Sequence, residues 1–248
     1  MVTPPRLKLL GHRGHIKIYS VDGVVIRSEI DREFTNFGQH YHFSFIPKNE
    51  FWIDHESAPD ERRFFIDHLL VEWQLMKQGN SYDRALVLAD AKERAERFRS
   101  NDFLKVINPK GIPDAAKVHQ KCLSAPGSKI CVWLVNGRLV RSVFFVDFTE
   151  GGHDLVYDFV PPGEIWLDND LAPADLPYVL LHEAYERSLM YRGFAYHQAH
   201  RQASRLEWSC RHRPSSLLSS LSRHLPGSIP DFSKLIPKSK ITSSSLVP

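Results

Sequence analysis

Cysteine is scarce in this chain: three residues, Cys122, Cys131 and Cys210, with no paired CxxC spacing. That argues against a disulfide framework and against a cysteine-type zinc site, and it fits a reducing compartment, so a cytoplasmic protein is expected. Long apolar runs are missing too. Met1 to Leu10 carries basic residues and a proline pair but no apolar core, so neither a secretory signal nor a membrane span is expected. Nor does one sign of charge dominate. A formal net charge of +3 and a pI near 8.7 permit a nucleic-acid or acidic partner without arguing for one. The 42% hydrophobic and 25% charged fractions are those of a folded globular chain rather than a disordered one. What is plentiful is histidine. Thirteen in 248 residues raises the expectation of metal binding or proton transfer.

The sequence also contains itself twice. A shift of 114 residues, the separation of Gly23 from Gly137, superposes two long segments without a gap. Ile16, Val21, Arg27, Ser28, Phe34, Thr35 and Gly38 fall on Ile130, Val135, Arg141, Ser142, Phe148, Thr149 and Gly152. Pro47, Glu50, Trp52, Asp54 and Pro59 fall on Pro161, Glu164, Trp166, Asp168 and Pro173. The match continues through His68, Glu72, Gly79, Tyr82, Glu93 and Arg97, which fall on His182, Glu186, Gly193, Tyr196, Glu207 and Arg211. An internal repeat of this length predicts two copies of one supersecondary unit.

Taken in order, residues 1–14 read as a basic, frayed lead-in, 15–99 as the first repeat, 100–128 as a Pro/Gly linker with a short helix over 114–123, 129–213 as the second repeat, and 214–248 as a Ser/Pro/Lys-rich tail. Each repeat opens on two β-runs around Asp22-Gly23 or Asn136-Gly137, a strong two-residue hairpin signal. Alternation over 39–46 and 154–160, and the runs 50–54 and 164–168, predict a third and a fourth strand. Two helices follow, the first ending near Gly79 or Gly193, the second running over 82–99 or 196–211. The expected fold is α+β, a tandem duplication of an antiparallel ββββαα unit. Trp52 and Trp166, at matched positions, read as core. His40 and His42 read as exposed strand histidines, since their counterparts are Asp154 and Val156.

Chemistry concentrates in Leu180 to Met190. His182 and Glu186 are one helical turn apart and can hold one metal ion, while Glu183, roughly 100° round the helix, can reach a water beside it. Glu207 comes back alongside if the two helices pack antiparallel. His200, two turns before it on the same face, or the nearby His197, could replace or join it as third ligand. Such a nitrogen and oxygen set suits Zn²⁺, and also Mn²⁺ or Fe²⁺. The bland alternative is a hydrogen-bonded His–Glu network closing a helix pair. The copies differ where catalysis needs them to: Glu183, His197 and His200 correspond to Leu69, Asp83 and Leu86, so any enzyme site lies in the second repeat.

The strand Glu164 to Asp168, followed by Val179 to Glu183 on a helix, resembles the edge-strand and active-helix order of minimal zincin metallopeptidases. The run from Asp147 to Glu207 is also similar to bacterial and phage-borne sequences. The zincin resemblance implies that His182 is a ligand and Glu183 a general base; Glu186 stands where the motif has its second His. It implies a metal-dependent hydrolase of peptide or amide bonds, with Tyr196 or a histidine stabilising the oxyanion. The rival reading is a non-enzymatic module whose aromatic residues, Trp133 among them, serve a protein or stack bases. The basic residues of its tail, Arg211, Arg213, Arg223, Lys234, Lys238 and Lys240, are scattered rather than clustered for nucleic acid.

Overall fold

The computed structural model describes residues 5–225, 227 and 229–232. The first half consists of β1 (Arg6–Arg13), β2 (Ile16–Val21), α1 (Gly23–Glu29), β3 (Phe37–Gln39), β4 (Glu50–Asp54), α2 (Arg62–Lys77) and α3 (Tyr82–Phe98). A short α4 (Asp102–Val106) and a single 3₁₀ turn over Ala115–Val118 lead to the second half. There the same order recurs as β5 (His119–Cys122), β6 (Cys131–Val135), α5 (Gly137–Val143), β7 (Gly151–His153), β8 (Glu164–Asp168), α6 (Leu176–Tyr191) and α7 (Tyr196–His212), with α8 (Leu217–His224) after it. The two sheets share one strand order, β1-β2-β4-β3 and β5-β6-β8-β7.

The α+β class is as expected, but the antiparallel meander is not. β2 pairs with β4 in parallel, Lys17 opposite Glu50 through Val21 opposite Asp54, and β6 pairs with β8 in the same way. The reason lies in the Asp-Gly and Asn-Gly pairs, which start a helix instead of turning a hairpin. Asp22 accepts a hydrogen bond from Val25 N at 3.1 Å, and Asn136 accepts one from Leu139 N at 3.0 Å, so each caps the first turn of α1 or α5. The glycines are there for space. A Cβ on Gly23 would overlap the Asp54 carboxylate, and one on Gly137 that of Asp168.

Three more expectations are corrected. Residues 6–13, read as frayed, form an edge strand antiparallel to β2, and 119–122, inside the expected linker, do the same for β6. The short helix expected over 114–123 is the 3₁₀ turn alone. The alternating runs 39–46 and 154–160 are mostly turns. Only Phe37–Gln39 and Gly151–His153 pair with β4 and β8, while Phe43 and Ile46 fold down onto the sheet. His42 therefore sits on a turn, stacked on Tyr82 with centroids 4.0 Å apart. The long helices fall where expected, and Gly79 and Gly193 end α2 and α6 at φ of 90° and 92°. Of the tail, α8 packs against α6, and residues 233–248, with Lys234, Lys238 and Lys240, lie outside the described residues.

Each sheet buries both faces. In the first half Ile16, Ile18, Phe51 and Ile53 meet Phe65, Leu69 and Trp73 of α2 on one side, and Val21 and Trp52 meet Ile26 and Phe34 on the other. Trp52 and Trp166 are core, at 2% and 0% exposure. No helix among the described residues is long and apolar enough to cross a membrane.

The halves are joined by a reciprocal buried charge network. Arg27 of α1 pairs with Asp54 and Glu56 of its own half and reaches Asp175, at the start of α6 in the other, with Nε to Oδ2 at 2.9 Å. Arg141 of α5 pairs with Asp168 and reaches back to Glu61, at the start of α2, with Nε to Oε1 at 3.0 Å. Glu61 and Asp175 each hold a second arginine from their own half, Arg97 and Arg211. Even the backbone is exchanged: Ala172 N donates to Glu56 at 2.6 Å and Ala58 N to Asp170 at 3.1 Å. The four arginines with Asp54, Glu61, Asp168 and Asp175 are almost wholly buried, so each of these charges depends on its partners for the solvation it has lost. Arg141→Ala leaves the buried Asp168 carboxylate without its arginine and Glu61 with Arg97 alone, and should lower the unfolding free energy by about 3–5 kcal/mol. Lys92→Ala, which removes an exposed pair with Glu96, should cost less than about 1 kcal/mol. Denaturant unfolding of the two variants checks this, and equal losses would contradict it.

Candidate functional site

α6 and α7 pack as an antiparallel pair, joined by the short turn after Gly193. His182 and Glu186, one turn apart on α6, face His200 on the second turn of α7. His182 Nε2 lies 3.2 Å from His200 Nδ1, His200 Nδ1 lies 2.8 Å from Glu186 Oε2, and His182 Nε2 lies 3.6 Å from the same oxygen. Two imidazole nitrogens and one carboxylate oxygen thus form a small triangle. Ligands about 2.1 Å from a tetrahedral zinc stand about 3.4 Å apart, so these atoms need only small adjustments to share one ion. The set is two histidines and one carboxylate, a composition used by catalytic zinc and by non-haem iron(II).

Each of these three side chains is held from behind. His182 Nδ1 lies 2.9 Å from Glu207 Oε2, and the other Glu207 oxygen accepts from Arg211 Nε at 2.9 Å. His200 Nε2 faces Glu33 Oε2 at 3.5 Å, and Glu33 belongs to the first half, in the loop after α1. Glu186 Oε1 faces His153 Nε2 at 3.1 Å. Leu155 N donates to His153 Nδ1, which leaves the proton of that ring on Nε2, facing the carboxylate. When the rings are neutral, carboxylates at their outer nitrogens favour the tautomers that turn the other nitrogens' lone pairs toward the triangle.

Of the residues singled out in the sequence, His182, Glu186 and His200 come together, whereas Glu207 sits on the far nitrogen of His182 rather than in the triangle. His197 is exposed and lines no part of it. Glu183 and Tyr196 both line the adjoining cavity of about 110 Å³, with Arg32, Thr35, Thr149 and Tyr157. Glu183 is buried beside His153 and Glu186, in space left by Gly151, where a Cβ would come within 3.1 Å of Glu183 Cγ. His153 and Glu33 escaped the sequence reading. The counterpart of His153 is Gln39, which donates to Glu72 at 2.5 Å in the same role, so its type is not repeated. Glu33 is 167 residues from the histidine it faces.

The electrostatics follow from burial and pairing. Burial pushes Glu183 up to about 7, helped by Glu186 and opposed by His182. Burial would lower His182, but its bonds to Glu186 and Glu207 outweigh that and hold it well above the usual imidazole range. His200 is raised to about 9, first by Glu186 and then by Glu33. Glu186 is held well below the carboxylate range, because His153, His182 and His200 together overcome its burial. Burial also raises Tyr196 to about 12, so its hydroxyl keeps its proton at neutral pH.

Comparison with protein-family models, curated proteins and solved structures finds no match for this chain.

The equivalent position in the first half is built differently. His68 Nδ1 lies 3.0 Å from Glu93 and 3.7 Å from Asp90, and Nε2 lies 3.6 Å from Glu72. Leu86 stands where His200 would be, Gln39 replaces His153 and Leu69 replaces Glu183, so the converging nitrogens are lost. Among the described residues, the groupings spaced for a metal ion all lie in the second half.

The folded state holds protons that the unfolded chain releases. Burial, with Asp147, raises Asp90 to about 7, and burial raises Glu150 to about 8. His68 stands near 9, because Glu72 and Glu93 overcome its burial. All three exceed their unfolded values, so the native state binds more protons across this range and stability falls as pH rises through it. Thermal unfolding should therefore show a falling midpoint from about pH 6.5 to about pH 9. An Asp90→Asn, His68→Gln double variant should flatten that slope.

Proposed function

We propose that this protein is a metal-dependent hydrolase of peptide or amide bonds whose site lies in the second half. One observation carries the reading: His182, Glu186 and His200 converge on one point while carboxylates hold the outer nitrogens of both histidines. Buried imidazole and carboxylate groups without such an arrangement are costly, and a divalent ion, zinc in the first instance and manganese or iron as alternatives, suits this donor set. Bound there, the ion would supply Lewis acidity toward the reacting groups.

The chain's own residues supply the rest. Glu183, buried and shifted close to neutral pH, is suited to take a proton from the attacking water and return it to the leaving amine. Tyr196 keeps its hydroxyl proton and can donate to the oxyanion that develops on the carbonyl. The strand Glu164–Asp168, an edge strand in the zincin pattern, lies between β6 and β7 here. The likeness to minimal zincins that supports this reading is therefore confined to the helix bearing His182 and Glu183 and its following acid, with His200 of the next helix in place of the motif's second histidine. The 114-residue self-match and the shared strand order support descent of the two halves from one unit, the first having lost its nitrogen ligands. A cytoplasmic setting accords with three free cysteines.

Freshly purified protein should carry about one transition metal per chain, and His182→Ala should lose it. Glu207→Gln and Glu33→Gln should weaken zinc binding by about 10- to 100-fold without unfolding the protein. Glu183→Gln should keep the metal and lower turnover of a peptide-amide library by about 100-fold or more. A metal-free protein with unaltered stability in His182→Ala, or full turnover in Glu183→Gln, would sink the assignment.

A further inference from the structure

The cavity beside the histidine triangle, about 110 Å³, has room for a reacting group and little else. A second cavity of about 350 Å³ opens from it, and Glu33, Thr35, Thr149 and His200 line both. This larger space belongs to the first half. It occupies the place where the second half keeps its polar cluster, and the exchange of His200 for Leu86 and of Glu183 for Leu69 has given it apolar walls. Phe37, Phe43, Phe65 and Val146 complete those walls. The stacked rings of His42 and Tyr82 border it.

Among its lining residues the acids, Glu33, Glu72, Glu93 and Asp147, outnumber the bases, His42, His68 and His200, and neither lysine nor arginine takes part. Glu93 is already matched by Arg97. Asp147, from the second half, stands beside Asp90 of α3, and burial raises both carboxyl groups, that of Asp90 to about 7. A second observation points the same way. Oδ1 of the buried Asp90, 3.7 Å from His68 Nδ1, has no hydrogen-bond partner. Polar atoms left in this state inside an apolar wall are costly unless a ligand satisfies them.

We infer that the first-half cavity is a binding subsite for an aromatic or aliphatic group carrying a protonated amine. Apolar walls take the hydrocarbon, and the Asp147 and Glu72 carboxylates, with Asp90 beside Asp147, take the cation. Its carboxylates outnumber the cationic imidazoles of His68 and His200, which disfavours a negatively charged group of the same shape. The inference rests on the hydrolase reading in one respect: it names the part of the substrate next to the bond that is cut. The half that lost its nitrogen ligands thereby supplies specificity to the half that kept them.

Calorimetric titration of the full chain at pH 7 with 2-phenylethylamine, and with 2-phenylethanesulfonate as its anionic counterpart, tests the subsite directly. The amine should bind at least tenfold more tightly than the sulfonate. Leu86→Trp, which fills the cavity, and Leu86→Arg, which adds a cation to its wall, should each weaken the amine at least tenfold while circular dichroism stays native. Absence of amine binding, equal binding of the sulfonate, or binding indifferent to a folded Leu86 variant would overturn the inference. Zinc titration of the same samples separates the two proposals. Zinc binding without amine binding removes the subsite alone, and amine binding without zinc removes the hydrolase reading alone.

Discussion

Two buried guanidinium groups hold this molecule together. Arg27 and Arg141 have lost nearly all contact with water, and each remains tolerable only because carboxylates of both halves surround it. Removing a charge of this kind from its partners costs far more than breaking a pair on the surface, so pulling the two halves apart is costly. The acids that receive the crossing arginines, Glu61 and Asp175, stand at the starts of α2 and α6, the helices that carry His68 and His182. The contact that joins the halves therefore also sets the positions of both histidine clusters.

That arrangement explains why the candidate site is not the property of one half. The loop after α1 carries Glu33 across to His200, and the matching loop of the second half carries Asp147 across to Asp90 and His68. Each cluster is thus closed by an acid from the opposite half. Where the second half places nitrogen donors around Glu186, the first places Leu86 and Gln39 around Glu72, and the same backbone yields a polar pocket on one side and a mostly apolar one on the other. The difference arises from a handful of side chains, because the helices that present them superpose in sequence without a gap.

The sequence showed the helices and the repeat more clearly than the sheets. Apolar spacing and the terminal glycines located α2, α3, α6 and α7 closely, since those signals act within a few residues. Asp22-Gly23 misled because the same dipeptide suits a tight turn and a helix cap. Only the approach of Asp54, distant in sequence, decides between them. Residues 6–13 looked frayed because an edge strand needs little hydrophobic content of its own when a neighbour supplies its hydrogen bonds. At the site, His182, Glu186 and His200 were legible from helical spacing. The places of Glu207, His153 and Glu33 were not, since they depend on which ring nitrogen faces which helix and on how the halves meet.

The crossing arginines have a further consequence. Each half bears both a projecting cation and the acid that receives one, so it is complementary to a copy of itself in the manner of an isologous dimer contact. The covalent tether through α4 adds nearness rather than recognition, by raising the effective concentration of one half around the other. Joining the halves in one chain also frees their sequences from being identical. A homodimer must repeat every substitution on both sides of its axis, whereas here one pocket can bear imidazoles and its twin leucine.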